Sequence, residues 1–170
     1  QGGAFLKVGQ LLSARADLLP EVWVRELSVL QDAAPAISSE VARRVLREAL
    51  GERAIELDEL PLAAASIGQV HRGRTLAGSA VAVKVQRPGI AELVEDDLAL
   101  LALCFEALRG SLPQAPLDTI VEQIRAHVLA ELDYVREAAL TQQLSTYFSA
   151  DAMISVPGVI AEFSTPRMLV

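Results

Sequence analysis

Residues 61–88 constrain the fold more than any other part of the chain. Residues 80–86 (AVAVKVQ) alternate valine with small or polar side chains, a pattern typical of a strand. Residues 76–79 (LAGS) predict a turn, because glycine supplies a positive φ at little cost, and residues 70–72 predict a short strand before it. The resulting hairpin places Lys84 in mid-strand, on the face opposite the valines.

A lysine in mid-strand needs water or an anionic partner. Taken alone, the alternation fits a half-exposed strand with a solvated lysine about as well as a functional site, because amphipathic strands are common. The segment before the hairpin favours a site. A loop, a hairpin and a strand ending V-A-x-K form the part of protein kinases that grips phosphate, where the lysine pairs with the phosphates and with a helix glutamate.

The loop itself departs from the ordinary kinase pattern, with one glycine where kinases have three. Together with residues 69–71 (QVH) and 83–89 (VKVQRPG), it resembles the UbiB/AarF family of atypical kinase-like proteins, which is associated with ubiquinone biosynthesis. The resemblance covers essentially the whole chain. It implies an α+β fold: a kinase-like N-terminal lobe with a five-stranded antiparallel sheet, a long αC-type helix and an N-terminal helical extension. The loop residues are Ala63, Ala64, Ala65, Ser66, Ile67 and Gly68.

The N-terminal segment carries a second motif. Lys7 and Gln10 fall on the polar side of an amphipathic helix, and a solvated polar face explains that pattern when it is taken alone. Within the resemblance, Lys7-Val8-Gly9-Gln10 matches the family's K-x-G-Q signature. We therefore expect a helical extension over residues 1–52 and the kinase-like lobe over residues 53–170.

Helical periodicity follows the lysine strand. It predicts a helix at residues 90–109 and a long helix at 117–149 whose core stripe runs through Leu117, Val121, Ile124, Val128, Leu132 and Val135. Asp133 and Glu137 lie one turn apart on the other face of the long helix. Like charges at this spacing repel by a few tenths of a kcal/mol, so a cation such as Lys84 is expected to meet them. A solvated charged face remains the simpler alternative for the helix alone.

The resemblance gives these carboxylates roles. Glu137 matches the glutamate that orients the strand lysine, and Glu131-Leu132-Asp133 matches the family's E-x-D signature, expected to work together with Lys7 and Gln10. Leu140 stands where the family usually has asparagine, which puts one local polar contact in doubt. Residues 153–156, 159–164 and 167–170 predict short strands that would complete the sheet.

The resemblance also implies a nucleotide cofactor, ATP or ADP with Mg²⁺. Lys84 and Glu137 would be the catalytic pair. Neither an H-x-D-x-x-x-x-N loop nor a D-F-G motif is present, so the metal ligands are expected in a C-terminal lobe outside this chain, which we interpret as a fragment. His71 and His127 lack zinc-ligand spacing, and we predict no metal site here. The expected nucleotide-binding residues are the loop residues Ala63 to Gly68, Val70, Ala82 and Lys84.

Composition limits the partners. A net charge of −7 argues against nucleic acid, which binds basic faces. The longest unbroken apolar run, residues 98–105, is far shorter than a membrane span, and Cys104 within it is predicted to be a small core residue. By resemblance, the intact protein would be cytoplasmic and membrane-associated, with adenine nucleotide and a prenyl-quinone or lipid as partners. The rival hypothesis is a non-catalytic, pseudokinase-like module that senses nucleotide or lipid.

Overall fold

The computed structural model describes residues 36–51, 55–110 and 116–170. Their contacts divide them into two units, which we call the sheet unit (Ala36–Ala64, Gly68–Pro88 and Ala130–Val170) and the helical unit (Ala65–Ile67 and Gly89–Leu129). The elements in chain order are α1 (Ser39–Leu50), β1 (Ile55–Ala64), β2 (Gly68–Thr75), β3 (Ala80–Gln86), α2 (Ile90–Leu108), α3 (Leu117–Leu132), α4 (Tyr134–Tyr147), a 3-10 helix (Ala161–Phe163) and β4 (Met168–Leu169).

The sheet is antiparallel in the order β1-β2-β3-β4, which confirms the α+β class. The strand count of five was wrong for the described residues, which form four strands. Residues 153–156 are irregular, and a 3-10 helix occupies the middle of 159–164. Hydrogen bonds to Val170 explain why residues 159–164 form no strand. The Ile160 amide donates to the Val170 carbonyl at 2.7 Å, but the Val170 amide donates to the Ser164 hydroxyl at 3.1 Å and not to a backbone carbonyl of the described residues. No continuous ladder forms there.

One face of the sheet is covered by α1. The Ser38 side chain accepts from the Val41 amide and begins the helix, and Gly51, at φ 59°, ends it. Ala42 and Leu46 from α1 pack in the same apolar core as Val83 and Val85 from β3. The helix predicted as part of the N-terminal extension therefore supplies the core beneath the lysine strand. The other buried members of this core are Val45, Leu50, Ile55, Leu57, Met168 and Val170.

The helical unit contains α2 and most of α3. Their buried stripes follow helical spacing and consist of Ile90, Val94, Leu98, Leu101, Leu117, Ile120, Ile124 and Val128. Ion pairs join the helices: Arg109 donates to Asp118 at 2.7 Å, and Arg125 donates to Glu95 at 2.8 Å. The prediction that Cys104 is a core residue was wrong, because it is exposed. At 100° per residue it points about 80° away from the centre of the α2 stripe.

The predicted single helix over residues 117–149 was also wrong, because it is broken at Asp133. The Asp133 backbone leaves the helical region (φ −91°, ψ 84°), and its side chain accepts from the Arg136 amide at 2.9 Å as the N-cap of α4. The break resets the helical phase. Val135, predicted on the core stripe, is therefore 56% exposed. No helix in the described part of the chain is long and apolar enough to cross a membrane.

Candidate functional site

Lys84 and Glu137 form the charged centre of the sheet unit. The Lys84 ammonium donates to both carboxylate oxygens of Glu137 at 2.7 Å. Lys84 pairs with Val70 on one side and Leu169 on the other, so the neighbouring strands hold its backbone. The two side chains are 32% and 39% exposed, and a partly solvated pair contributes on the order of 0.2–1 kcal/mol to stability. The contribution of this pair to the stability of the fold is therefore small.

The position of Glu137 depends on how the break between α3 and α4 is held. The Gln86 side chain, two residues after Lys84 on β3, donates to the Leu132 carbonyl at the end of α3 and to the Pro166 carbonyl at 3.4 Å. Helix ends leave carbonyls without partners, so Gln86 satisfies one of them. Asp133 then caps the next helix, and one turn later Glu137 faces Lys84. The lysine strand thus binds both the helix end and the glutamate.

Tyr134 lies on the other side of the ammonium. The Lys84 nitrogen is 4.7 Å from the centre of the Tyr134 ring, within the range of a cation–π interaction. Tyr134 is fully buried, and its hydroxyl makes no hydrogen bond with any residue that the structure describes. Burial, together with the carboxylates of Glu137 and Glu131, raises the pKa of this hydroxyl above its ordinary value.

A cavity of about 600 Å³ opens beside the Lys84–Glu137 pair, within the size range of small-molecule sites. Val70 and Ala82, two predicted nucleotide contacts, line it. Its charged end is formed by Lys84 and Glu137, and most of the remaining wall is apolar. Those other lining residues are Ala80, Val81, Thr141, Leu144, Val156, Pro157, Gly158, Val159, Ile160, Leu169 and Val170.

The alanine-rich loop is divided between elements. Ala63 and Ala64 end β1 and are exposed, whereas Gly68 begins β2 and is buried. Ala65, Ser66 and Ile67 connect the strands and belong to the helical unit. The packing around Gly68 explains why a glycine stands there: a Cβ would lie 2.6 Å from the Tyr134 hydroxyl and 2.7 Å from the Val85 carbonyl. Close packing therefore requires glycine at this position, and contact between the loop and phosphate stays a prediction.

The remaining predicted residues do not gather at the cavity. Lys7 and Gln10 lie outside the described residues, so their contact with Glu131 stays a prediction. Asp133 does not meet Lys84 as expected, because its carboxylate caps α4. Leu140 is 47% exposed on α4.

His71 is fully buried on the opposite side of the sheet from the Lys84 ammonium, in a polar network. The Gln69 amide accepts from the Ile37 backbone at 2.9 Å and donates to the Ile37 carbonyl at 3.2 Å. Its nitrogen also lies 2.6 Å from His71 Nε2, and His71 Nδ1 lies 3.3 Å from the Asp58 carbonyl. Because the Gln69 nitrogen donates, Nε2 accepts and Nδ1 carries the proton. This histidine has a structural role, linking the start of α1 to β1 and β2.

Reasoning from the sequence missed Tyr134, Gln86 and Thr141. Two signals could have found the first two: Tyr134 precedes Glu137 by three residues and so shares its helix face, and Gln86 alternates with Lys84 on one face of the strand. The helix-face signal also applies to Thr141, which follows Glu137 by four residues and whose hydroxyl donates to the Glu137 carbonyl at 2.8 Å. Within the described ranges, no three His, Cys, Asp or Glu side chains gather in a way that could hold a metal ion.

Comparisons with known proteins identify the family of the chain. A model of the ABC1 atypical kinase-like domain matches residues 29–170. The chain is 39% identical, over 99% of its length, to a probable protein kinase UbiB of Aeromonas salmonicida, of which it covers 32%. It is 37% identical to the chloroplast protein ACTIVITY OF BC1 COMPLEX KINASE 8 of Arabidopsis thaliana, again over 99% of its length, and covers 23% of that protein.

A solved structure also matches this chain. Rv3197 of Mycobacterium tuberculosis, in a complex with erythromycin, matches 95% of this chain at 34% identity with a TM-score of 0.63, and the chain covers 42% of it. The chain thus spans about a quarter to a third of the curated relatives described above. The Lys84–Glu137 pair, the fold and these matches lead to one conclusion: the chain belongs to the ABC1 atypical kinase-like family.

Proposed function

We propose that this chain is the nucleotide-binding lobe of an atypical kinase or ATPase and that it binds ATP or ADP in the cavity beside Lys84. The observation that carries the proposal is the Lys84–Glu137 pair, with two bonds of 2.7 Å at the charged end of an otherwise apolar cavity of about 600 Å³. A lysine ammonium has three N–H donors and two of them go to Glu137, so the third suits a phosphate oxygen, and apolar walls suit a planar base.

The residues fit the nucleotide better than they fit a metal. Lys84 would bind the α- and β-phosphates, with Glu137 orienting it, and Val70 and Ala82 would contact the base. When bound, Mg²⁺ would neutralise phosphate charge. No metal-ligand cluster exists among the described residues, so this chain alone is proposed to bind nucleotide without turning it over. From the resemblance to the UbiB/AarF family, we also propose that the intact protein is linked to prenyl-quinone or lipid metabolism and associates with a membrane.

Titration calorimetry with ATP and ADP on the full-length protein tests this. Lys84→Ala removes a charge-assisted contact of about 1.5–3 kcal/mol, so affinity should fall about 10- to 150-fold. Arg44→Ala is the charge-matched control, because Arg44 lies on α1 in a surface ion pair with Glu48. The affinity of this variant for ATP and ADP should equal that of the wild type. An unchanged dissociation constant in Lys84→Ala would overturn the proposal. Binding without turnover by the full-length protein would favour the sensing module.

A further inference from the structure

One turn of α4 presents two different groups to the same lysine. Tyr134 and Glu137 are three residues apart and therefore share a helix face. Glu137 accepts two hydrogen bonds from the Lys84 ammonium, and the Tyr134 ring centre lies 4.7 Å from the same nitrogen. Lys84 is thus held between a carboxylate that is partly open to water and an aromatic ring that is fully buried.

Tyr134 also touches the end of the alanine-rich loop. Its hydroxyl fills the space where Gly68 would carry a Cβ, and that Cβ would lie 2.6 Å from the oxygen. The hydroxyl gains no hydrogen bond from the described residues in this position, so leaving it buried is unfavourable. The contribution of Tyr134 to the site must therefore come from its ring and its shape. One side chain spans the distance from the lysine to the first residue of β2.

We propose that Tyr134 is a positioning residue for Lys84: the Tyr134 ring holds the ammonium against Glu137 at the charged end of the cavity. The proposal rests on the proposed function, since it explains how the nucleotide-binding lysine is kept ready. Tyr134 is not among the residues that line the cavity, so it acts on nucleotide through Lys84 and touches no ligand itself.

The physical reason is the flexibility of lysine. Its four-carbon stem has many rotamers, and water competes for a carboxylate that is 39% exposed. A ring face attracts the cation and excludes water from one side. Without the Tyr134 ring, Lys84 points toward the phosphate site for a smaller fraction of the time. The apparent affinity for nucleotide falls in proportion to that fraction. A cation–π contact of ordinary strength predicts a loss of about three- to tenfold.

Graded fluorination separates the charge effect from the shape. In the full-length protein, Tyr134 is replaced by phenylalanine and by its mono-, tri- and pentafluoro forms, which weaken the attraction of the ring for cations at nearly constant size. The same series at Tyr147, which is 81% exposed on the last turn of α4, is the matched control. ADP affinity should fall stepwise at position 134 and stay constant at position 147.

A second readout does not depend on nucleotide binding. The ring should shift the NMR signals of the Lys84 ε-methylene, assigned by comparison with Lys84→Arg; the shift should survive Tyr134→Phe and disappear in Tyr134→Leu. Equal ADP affinities across the fluorinated series, or an unshifted ε-methylene in the wild type, would overturn the positioning role. If the wild type binds no ADP, the proposed function fails, and the methylene shift still decides whether Tyr134 holds Lys84.

Discussion

Gly68 offers a sharp test of how the site is packed. A Cβ at this position would lie 2.6 Å from the Tyr134 hydroxyl and 2.7 Å from the Val85 carbonyl, about 0.7–0.8 Å short of ordinary contact at 3.4 Å. The Val85 carbonyl belongs to a strand that is paired on both sides, so it has little freedom to move. Gly68→Ala should therefore destabilise the chain by about 1–3 kcal/mol, the usual cost of overpacking.

Tyr134→Phe should relieve part of this strain. It removes the hydroxyl and leaves the Val85 carbonyl, so the double variant should recover a fraction of the loss, with a coupling of about 0.5–1.5 kcal/mol between the two positions. By itself, Tyr134→Phe should be neutral or slightly stabilising, because the buried hydroxyl has no partner among the described residues.

The free energy of unfolding of the wild type, the two single variants and the double variant is measured by urea unfolding followed by circular dichroism. Gly110→Ala is the control, since a Cβ there meets nothing within 4 Å and its φ is not left-handed. Its free energy of unfolding should lie within about 0.5 kcal/mol of the wild-type value. A Gly68→Ala variant as stable as Gly110→Ala would refute the packing argument.

Two further predictions concern the same turn of α4. Asp133→Ala removes the N-cap and should lower the free energy of unfolding by about 1 kcal/mol, whereas Asp133→Asn, which can still cap, should cost much less; equal losses in urea unfolding would contradict the capping role. Burial raises the pKa of Tyr134 above its ordinary value of 10.0, so its contribution to stability is fully present below pH 10 and is lost as pH rises through the folded-state pKa. The difference in absorbance at 295 nm between the wild type and Tyr134→Phe should show that this phenol ionises only above pH 10. Ionisation with the ordinary tyrosine pKa of 10.0 would show that the Tyr134 hydroxyl is solvated.

Local pattern was sufficient for several features. The alternation of residues 80–86 placed Lys84 on the face opposite Val83 and Val85, and both valines are buried, because a strand has a side-chain period of two whatever its neighbours. The start of α1 after Ser38 and its end at Gly51 likewise depend on capping by residues next to the helix in the sequence. The resemblance of the motifs then led from these elements to the family.

The fine arrangement of the site depended on contacts between distant residues. Hydrophobic spacing runs without interruption through Asp133, so the sequence alone predicted one helix and paired Asp133 with Lys84. The donor to the Leu132 carbonyl at the break is Gln86, 46 residues away along the chain. No local rule reaches that far. The burial of Tyr134 beside Lys84 and Gly68 was likewise decided only in the folded chain, where strand and helix meet and close packing leaves room for a single arrangement.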